Sequence, residues 1–339
     1  MTQYGIHAQT VIKNANIITI DPRIPKANSL AISGDKFIAI GNDTLCNSLI
    51  GPDTEVLDIS GKTVLPGFID AHIHVLNSGI RHVMAADCDL PSIPLIQKAL
   101  KDRIKETLPG GWIQGFKFDD TKTQEKRFLF RSDLDAVTTS YPIMVSHRAG
   151  HIYYLNSAAL AAAHFNDNTP DPPGGRLGRD PDTGSLNGVV YERAIEPIRF
   201  GLIPPETSAI RQRGLTTICK MLNQVGLTSV HDARVIQTEF EAYQNGLDNG
   251  ELTLRVYALM YHPHFEALKN AGIKTGFGNE FLRIGGIKMI ADGAIAARTA
   301  YMSEPYIGSD CDHGILAMSQ EEIETNVINM HNAGFQVCV

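Results

Sequence analysis

The chain of 339 residues has one tryptophan and five cysteines, and only 20% of it is charged. No apolar stretch approaches the ~20 residues that a membrane-spanning helix needs, so no span and no membrane partner are expected. The cysteines, Cys46, Cys88, Cys219, Cys311 and Cys338, are odd in number, widely spaced and without a C-x-x-C pair. That pattern excludes a disulfide framework and a zinc knuckle, and it fits reduced thiols in the cytoplasm. Basic runs are missing too. With a net charge of −7 the chain is a poor match to nucleic acid or to an anionic membrane. There is no G-x-G-x-x-G after an early strand, no P-loop lysine and no G-x-S-x-G elbow, so dinucleotide, P-loop and elbow-serine chemistry have no basis here. The opening MTQYGIHAQT has neither a charged nor an apolar leader region, so no secretory signal is expected.

What remains is ordinary globular composition, with 43% hydrophobic residues. Up to residue 65 the sequence reads as a small antiparallel β unit. VIKNANIITI, SLAISGDKFIAIG and TEVLDISGKTVL are rich in Val, Ile and Thr, and Gly34-Asp35 predicts a tight hairpin. From residue 66 the texture is α/β. VLPGFIDAHIH is almost continuously apolar and reads as a strand buried on both faces. Four further strands each follow a helical stretch: GLTSVHDA after 206–224, LTLRVYALM after 236–248, FLRIGGIKMIADG after 263–271 and FQVCV after 319–333. Strands linked by helices predict a (β/α) barrel or a doubly wound sheet. Between the first two strands lie about 130 residues, far too many for one connection, which predicts an inserted subdomain over about 80–205. Within it, 92–107 reads as an amphipathic helix with Leu95, Ile96, Leu100 and Ile104 on one face. GWIQGFKFDD and YPIMVSH read as strands, and TPDPPGGRLGRDPDTGSLNG as an exposed loop.

Chemistry concentrates at the strand ends. His72 and His74 are two apart, so in a strand both point to one side with their Cβ atoms ~6–7 Å apart, close enough to share one metal ion. They end the first barrel-type strand, at the rim where α/β barrels place active sites. Asp70 lies on the same face and could orient a ligand. Two ordinary histidines at a strand end is the plainer alternative. Lys288 sits inside GGIKMIADG, where a charged amine is costly unless paired, deprotonated or modified. As a carbamate it would bridge cations; as a plain amine it would snorkel to the strand end and pair with Asp292. Asp292 and Arg298 belong to a polar loop at the same rim, and Arg298 could take a substrate carboxylate. His231 and Asp232 end the second strand, with only one of them turned inward. His151 and Glu192 are candidates from the insertion.

These segments together resemble the metal-dependent amidohydrolase superfamily, in its YtcJ-like branch, the amidohydrolase 3 family. NANIITID, AISGDKFIAIG and VLDISGKTVLPGFIDAHIH are similar to the superfamily's opening; SHRAGHIYYLNSAAL and IKMIADGAIAARTAYMSEPY are similar to the branch. The likeness runs from about residue 11 to the end. It implies an incomplete (β/α)8 TIM barrel over 66–339 with about five strands, and a β-sandwich part over 1–65 built with both chain ends. It implies one or two divalent metals, zinc first among them, on His72, His74 and a carboxylated Lys288. It raises His151, Glu192, Asp292 and Arg298 as substrate-site residues. Relative to that family the chain ends at FQVCV, one residue before an expected ligand histidine, and the usual general base would lie beyond residue 339. Two functions follow as expectations: a hydrolase of non-peptide carbon–nitrogen bonds acting on a small molecule, or a non-catalytic remnant that binds metal weakly or associates with another chain. Strand five should be an open edge, and a marginal, aggregation-prone or homo-oligomeric chain is expected.

Overall fold

The computed structural model describes residues 7–172, 174–293, 295, 300–308 and 310–339. One compact unit runs to Phe68 and a second from Ile69 to Val339. The first contains β1 (Thr10–Lys13), β2 (Asn16–Ile18), β3 (Lys26–Ala27), β4 (Ser29–Ser33), β5 (Lys36–Gly41), α1 (Asp43–Asn47), β6 (Glu55–Asp58) and β7 (Thr63–Val64). Gly34 and Asp35 make the two-residue turn between β4 and β5, and the φ of +59° at Gly34 suits glycine. The strands form two sheets, in the orders β5-β4-β1-β6 and β3-β2-β7. They are not purely antiparallel as predicted. β6 pairs parallel with β1, and β7 parallel with β2. The chain passes through α1 before it returns to β1, so the returning strand runs the same way as the first.

The second unit has two sheets. It opens with β8 (Phe68–Ile73), which begins on the last residue of the first unit, and α2 (Val75–Met84). The inserted region then supplies β9 (Ala85–Asp87), α3 (Ile93–Ile104), β10 (Ile113–Phe118), α4 (Arg131–Asp135), β11 (Ile143–His147), β12 (Ile152–Leu155), α5 (Ser157–Ala162), β13 (Gly175–Arg179) and β14 (Leu186–Glu192). These strands make a six-stranded sheet in the order β13-β14-β12-β11-β10-β9. Afterwards come α6 (Ser208–Gln224), β15 (Leu227–Val235), α7 (Gln237–Asp248), β16 (Arg255–Tyr261), α8 (Phe265–Asn270), β17 (Leu282–Lys288), α9 (Gln320–Asn332) and β18 (Val337–Cys338). With β8 they form a curled half-barrel sheet in the order β18-β17-β16-β15-β8, in which β15–β16, β16–β17 and β17–β18 pair in parallel. Helix starts follow their signals: Ser319 and Glu322 cap α9 reciprocally, and the Thr207 hydroxyl accepts from Ile210 at the start of α6.

Three predictions are corrected inside this unit. Strand one is not buried on both faces. β8 is the edge of its sheet, with β15 on one side only, and its residues are exposed or half-exposed. In α3 the buried stripe is Ile93, Ile96 and Leu100, while Leu95 points outward at 44% exposure. Leu95 precedes Ile96 by one residue and so lies about 100° around the helix from it. The Pro/Gly/Asp-rich loop contains strand β13. Leu177 is buried there, its N–H is taken by Asp171, and Arg179 donates to the carbonyls of Asp167, Thr169 and Gly184. One buried leucine and these anchors supply the order that composition alone does not suggest.

Behind the half-barrel lies the largest core. Val230, Val256, Ala258, Ile284 and Ile287 from the strands meet Leu215 and Ile218 of α6, Tyr243 of α7 and Met330 of α9. α2 lies close on α6: a Cβ added to Gly79 would come within 2.2 Å of the Gly214 carbonyl oxygen. The start of α2 is held from another element. His74 offers no side-chain cap, and the Asp232 carboxylate of β15 accepts from the N–H groups of Val75 and Leu76 and from the Tyr243 hydroxyl. Among the described residues no helix is long and apolar enough to cross a membrane.

Burial raises the Asp232 pKa to about 7; the Tyr243 hydrogen bond opposes this, and the charge of Glu239 adds to it. An unfolded aspartate titrates near ~3.9, so between pH ~4 and ~7 the folded chain binds more protons than the unfolded one. Stability from this group therefore falls as pH rises through that window, by at most about 1.4 kcal/mol per pH unit, and levels off above it. Asp232→Asn does not titrate. The melting-temperature difference, wild type minus Asp232→Asn, is expected to shrink from pH 5 to pH 8 in calorimetry; a constant difference would contradict this account.

Candidate active site

His72 is the fifth residue of β8, His74 follows the strand directly, and Lys288 closes β17. Ile73 and Ile287 both turn into the core behind the sheet. Side chains alternate along a strand, so His72 and Lys288 share the opposite face. The His72 and His74 ring centroids are 5.9 Å apart with their planes at 81°. Asp70 does not reach the imidazoles; its Oδ1 accepts the backbone N–H of His72 at 3.0 Å and stiffens the strand end. The His74 carbonyl oxygen takes the Ser78 hydroxyl at 2.6 Å.

Electrostatics ties these ends together. The His74 pKa is lowered, first by burial and then by electrostatic interaction with His72, Arg234, Arg81 and Lys288. Lys288 of the fourth barrel-type strand thus acts on an imidazole of the first. The neutral imidazole is favoured, and that is the form with a lone pair for a metal. The two imidazoles, with ring centroids 5.9 Å apart, are donors of a type that fits a divalent ion.

The sequence model of the amidohydrolase family matches residues 55–339. This chain belongs to the amidohydrolase family. It is 31% identical over 268 residues to the N-substituted formamide deformylase of Arthrobacter pascens, covering 77% of this chain and 49% of that protein. It is 27% identical over 293 residues to the YtcJ protein of Bacillus subtilis, covering 85% of this chain and 54% of that one. The amidohydrolase chain therefore spans about half the length of these two relatives. Its fold resembles the crystal structure of a metal-dependent hydrolase from Pyrococcus horikoshii, with a TM-score of 0.72 and 24% identity over 97% of this chain and 64% of that one.

The remaining candidates of this amidohydrolase separate into pairs and singles. His151 and Glu192 meet: Nδ1 of the imidazole lies 2.9 Å from a Glu192 carboxylate oxygen, and Glu192 donates its backbone N–H to the His151 carbonyl. Asp292 accepts the Tyr301 N–H at 2.9 Å. Arg298 lies outside the described residues. Asp232 points back to α2 and α7, whereas His231 stacks on Tyr257 with centroids 4.6 Å apart.

Sequence reading missed two features. At the ends of β10 and β11, ligand atoms of Asp119, Asp120 and His147 lie within 4.8 Å of one another. The Ala149 N–H donates to His147 Nδ1 at 3.1 Å, which puts the imidazole proton on Nε2, 3.1 Å from Asp120. A metal there would displace that proton, so the trio as folded is a completed hydrogen-bond network. The adjacent pair Asp119-Asp120 after a strand was its only sequence signal. The second feature is a cavity of about 540 Å³ lined by α2, by β10 and β11, by residues 199–206 and by Arg234. It joins segments more than 150 residues apart, and periodicity carries no such information.

Glu192 has φ +50° and ψ −128°, a conformation that favours glycine. Such strain costs about 1–3 kcal/mol. Thermal unfolding is expected to show Glu192→Gly more stable than Glu192→Ala by about that amount, although both lose the contact to His151. Equal stabilities would remove the strain from the account.

Proposed function

We propose that the chain carries the metal-binding end of a hydrolase that cleaves non-peptide carbon–nitrogen bonds in amides, formamides or cyclic amides. The observation that carries this reading is the His72–His74 pair, its rings 5.9 Å apart at the end of β8, on the sheet face it shares with Lys288. The name of the Arthrobacter relative, an N-substituted formamide deformylase, supports the formamide class. His72 and His74 would hold a divalent ion, zinc being a good match to imidazole donors. When bound, such an ion lowers the pKa of water toward ~7 and polarises a carbonyl.

The chain's own residues prepare that site. Asp232 fixes the first turn of α2 and, through it, the position of His74. Burial and neighbouring cations keep the His74 imidazole unprotonated. The amine of Lys288, once deprotonated, would add to CO₂, forming an N–C bond and releasing a proton, and the product would place one negative charge, shared by two oxygens, on this face. His151, Glu192, Asp292 and Arg298 are assigned to the substrate side. The free thiols fit a reducing compartment, the cytoplasm.

A second reading, association with another polypeptide or a second copy, draws on the edge position of β8 and the 66% exposure of Ile69. Light scattering on the purified chain separates a monomer from an assembly.

In equilibrium dialysis with zinc, His72→Ala/His74→Ala is expected to lose stoichiometric metal, a larger effect than the roughly 10–100-fold that removal of a supporting partner costs. Its circular dichroism should match the parent, and Lys288→Ala should reduce metal content. Turnover of a formamide and amide panel should stop with a chelator and return with zinc. Unchanged metal content in the double variant would end the proposal.

A further inference from the structure

We propose that the cavity between α2, β10 and β11 is a carboxylate-binding site, in which Arg81, Arg199 and Arg234 hold the acidic end of an organic substrate with an apolar body. This names a substrate class for the hydrolase reading and rests on that reading for the reaction, though not for the binding.

Three separate parts of the chain deliver these arginines to one cavity of about 540 Å³. Arg81 comes from the last turn of α2. Arg199 comes from Pro197–Leu202, which is wound with i→i+5 spacing, closed by the Ile203 N–H on the Ile198 carbonyl. Such widened turns are frequent at functional sites. Arg234 sits where the register of β15 with β16 shifts, between Ala233 and Val235, at φ +137°. A bulge of this kind re-aims a side chain, and it recurs beside active sites.

Among the described residues, none of the three forms an ion pair with a carboxylate. Arg199 donates to the Tyr153 hydroxyl oxygen at 3.5 Å and lies 5.5 Å over the Phe200 ring, and the Tyr153 hydroxyl donates its own proton to the Gly150 carbonyl at 2.8 Å. Arg234 lies 5.1 Å over the Tyr261 ring. Arg81 lies in the last turn of α2, where the helix dipole favours a cation. Burial lowers the Arg81 pKa, and the charge of Arg199 lowers it further. Glu206 is the one carboxylic residue among the lining residues, against three guanidinium groups. An incoming anion relieves this repulsion and takes the paired N–H donors that match a planar carboxylate.

The walls say what the acid is attached to. Ile80, Met84, Phe116, Met144 and Ile203 line the same space, which suits an apolar body better than a small inorganic ion. Arg81 and Arg234 both act electrostatically on His74. An acid anchored by them would offset part of the positive charge that acts on His74.

Calorimetric titration of the full chain in metal-free buffer tests this with N-acetyl-DL-leucine as the acid and N-acetyl-DL-leucinamide as its neutral counterpart. The acid is expected to bind at least about tenfold more tightly. Arg81→Met and, on a different segment, Arg199→Met should each bring the two affinities within about twofold, and Arg81→Lys should restore part of the difference. His72→Ala/His74→Ala should keep the preference, so a failure of metal binding or turnover leaves this result readable. Equal affinities in the parent chain, a preference that survives both methionine variants, or one that vanishes with the histidine pair would each overturn the assignment.

Discussion

A buried carboxylate on the second strand of the half-barrel holds the beginning of the helix after the first. Asp232 accepts from the N–H groups of Val75 and Leu76, and Tyr243 of α7 donates to it from behind. The first turn of a helix carries N–H groups with no partner inside the helix. Here His74 precedes that turn and cannot cap it, so the cap comes across the sheet. The same helix is pinned further along, where Gly79 lies against Gly214 with no room for a methyl group. Between these two constraints His74 has little freedom, and the cavity wall that carries Ile80 and Arg81 has equally little.

The charge balance of the site follows from that placement. One face of the sheet gathers His72, His74 and Lys288, with Arg81 and Arg234 near enough to disfavour a proton on His74. Positive charge this dense suits a neutral imidazole and a site that receives anions. Lys288 lies on the sheet, whereas Arg81, Arg199 and Arg234 line the cavity between α2, β10 and β11.

Much of the architecture was legible. The periodicity of 206–224, 236–248 and 319–333 matches α6, α7 and α9, and the strand-like segments after them are β15, β16 and β18. Local features produce such patterns: alternation of apolar residues and capping signals such as Ser319 with Glu322. The misreadings were non-local. An apolar run cannot tell a central strand from an edge strand, so β8 was read as buried. Composition cannot reveal that Leu177 finds a core, so β13 was read as loop. Strand direction depends on how the chain returns, so the parallel pairs β1–β6 and β2–β7 were not foreseen.

The sequence alone determined the family-like motifs, the H-x-H spacing and the helix–strand alternation, because each is written in residues close together along the chain. Only the tertiary structure decided that Lys288 shares a face with His72, that Asp232 serves a helix rather than the mouth of the sheet, and that His151 meets Glu192. It alone brought Arg81, Arg199 and Arg234 around one cavity. These relations depend on which strands pair, on the bulge at Arg234 and on a close helix contact. Such features are set by three-dimensional burial and hydrogen bonding, which one-dimensional spacing does not encode.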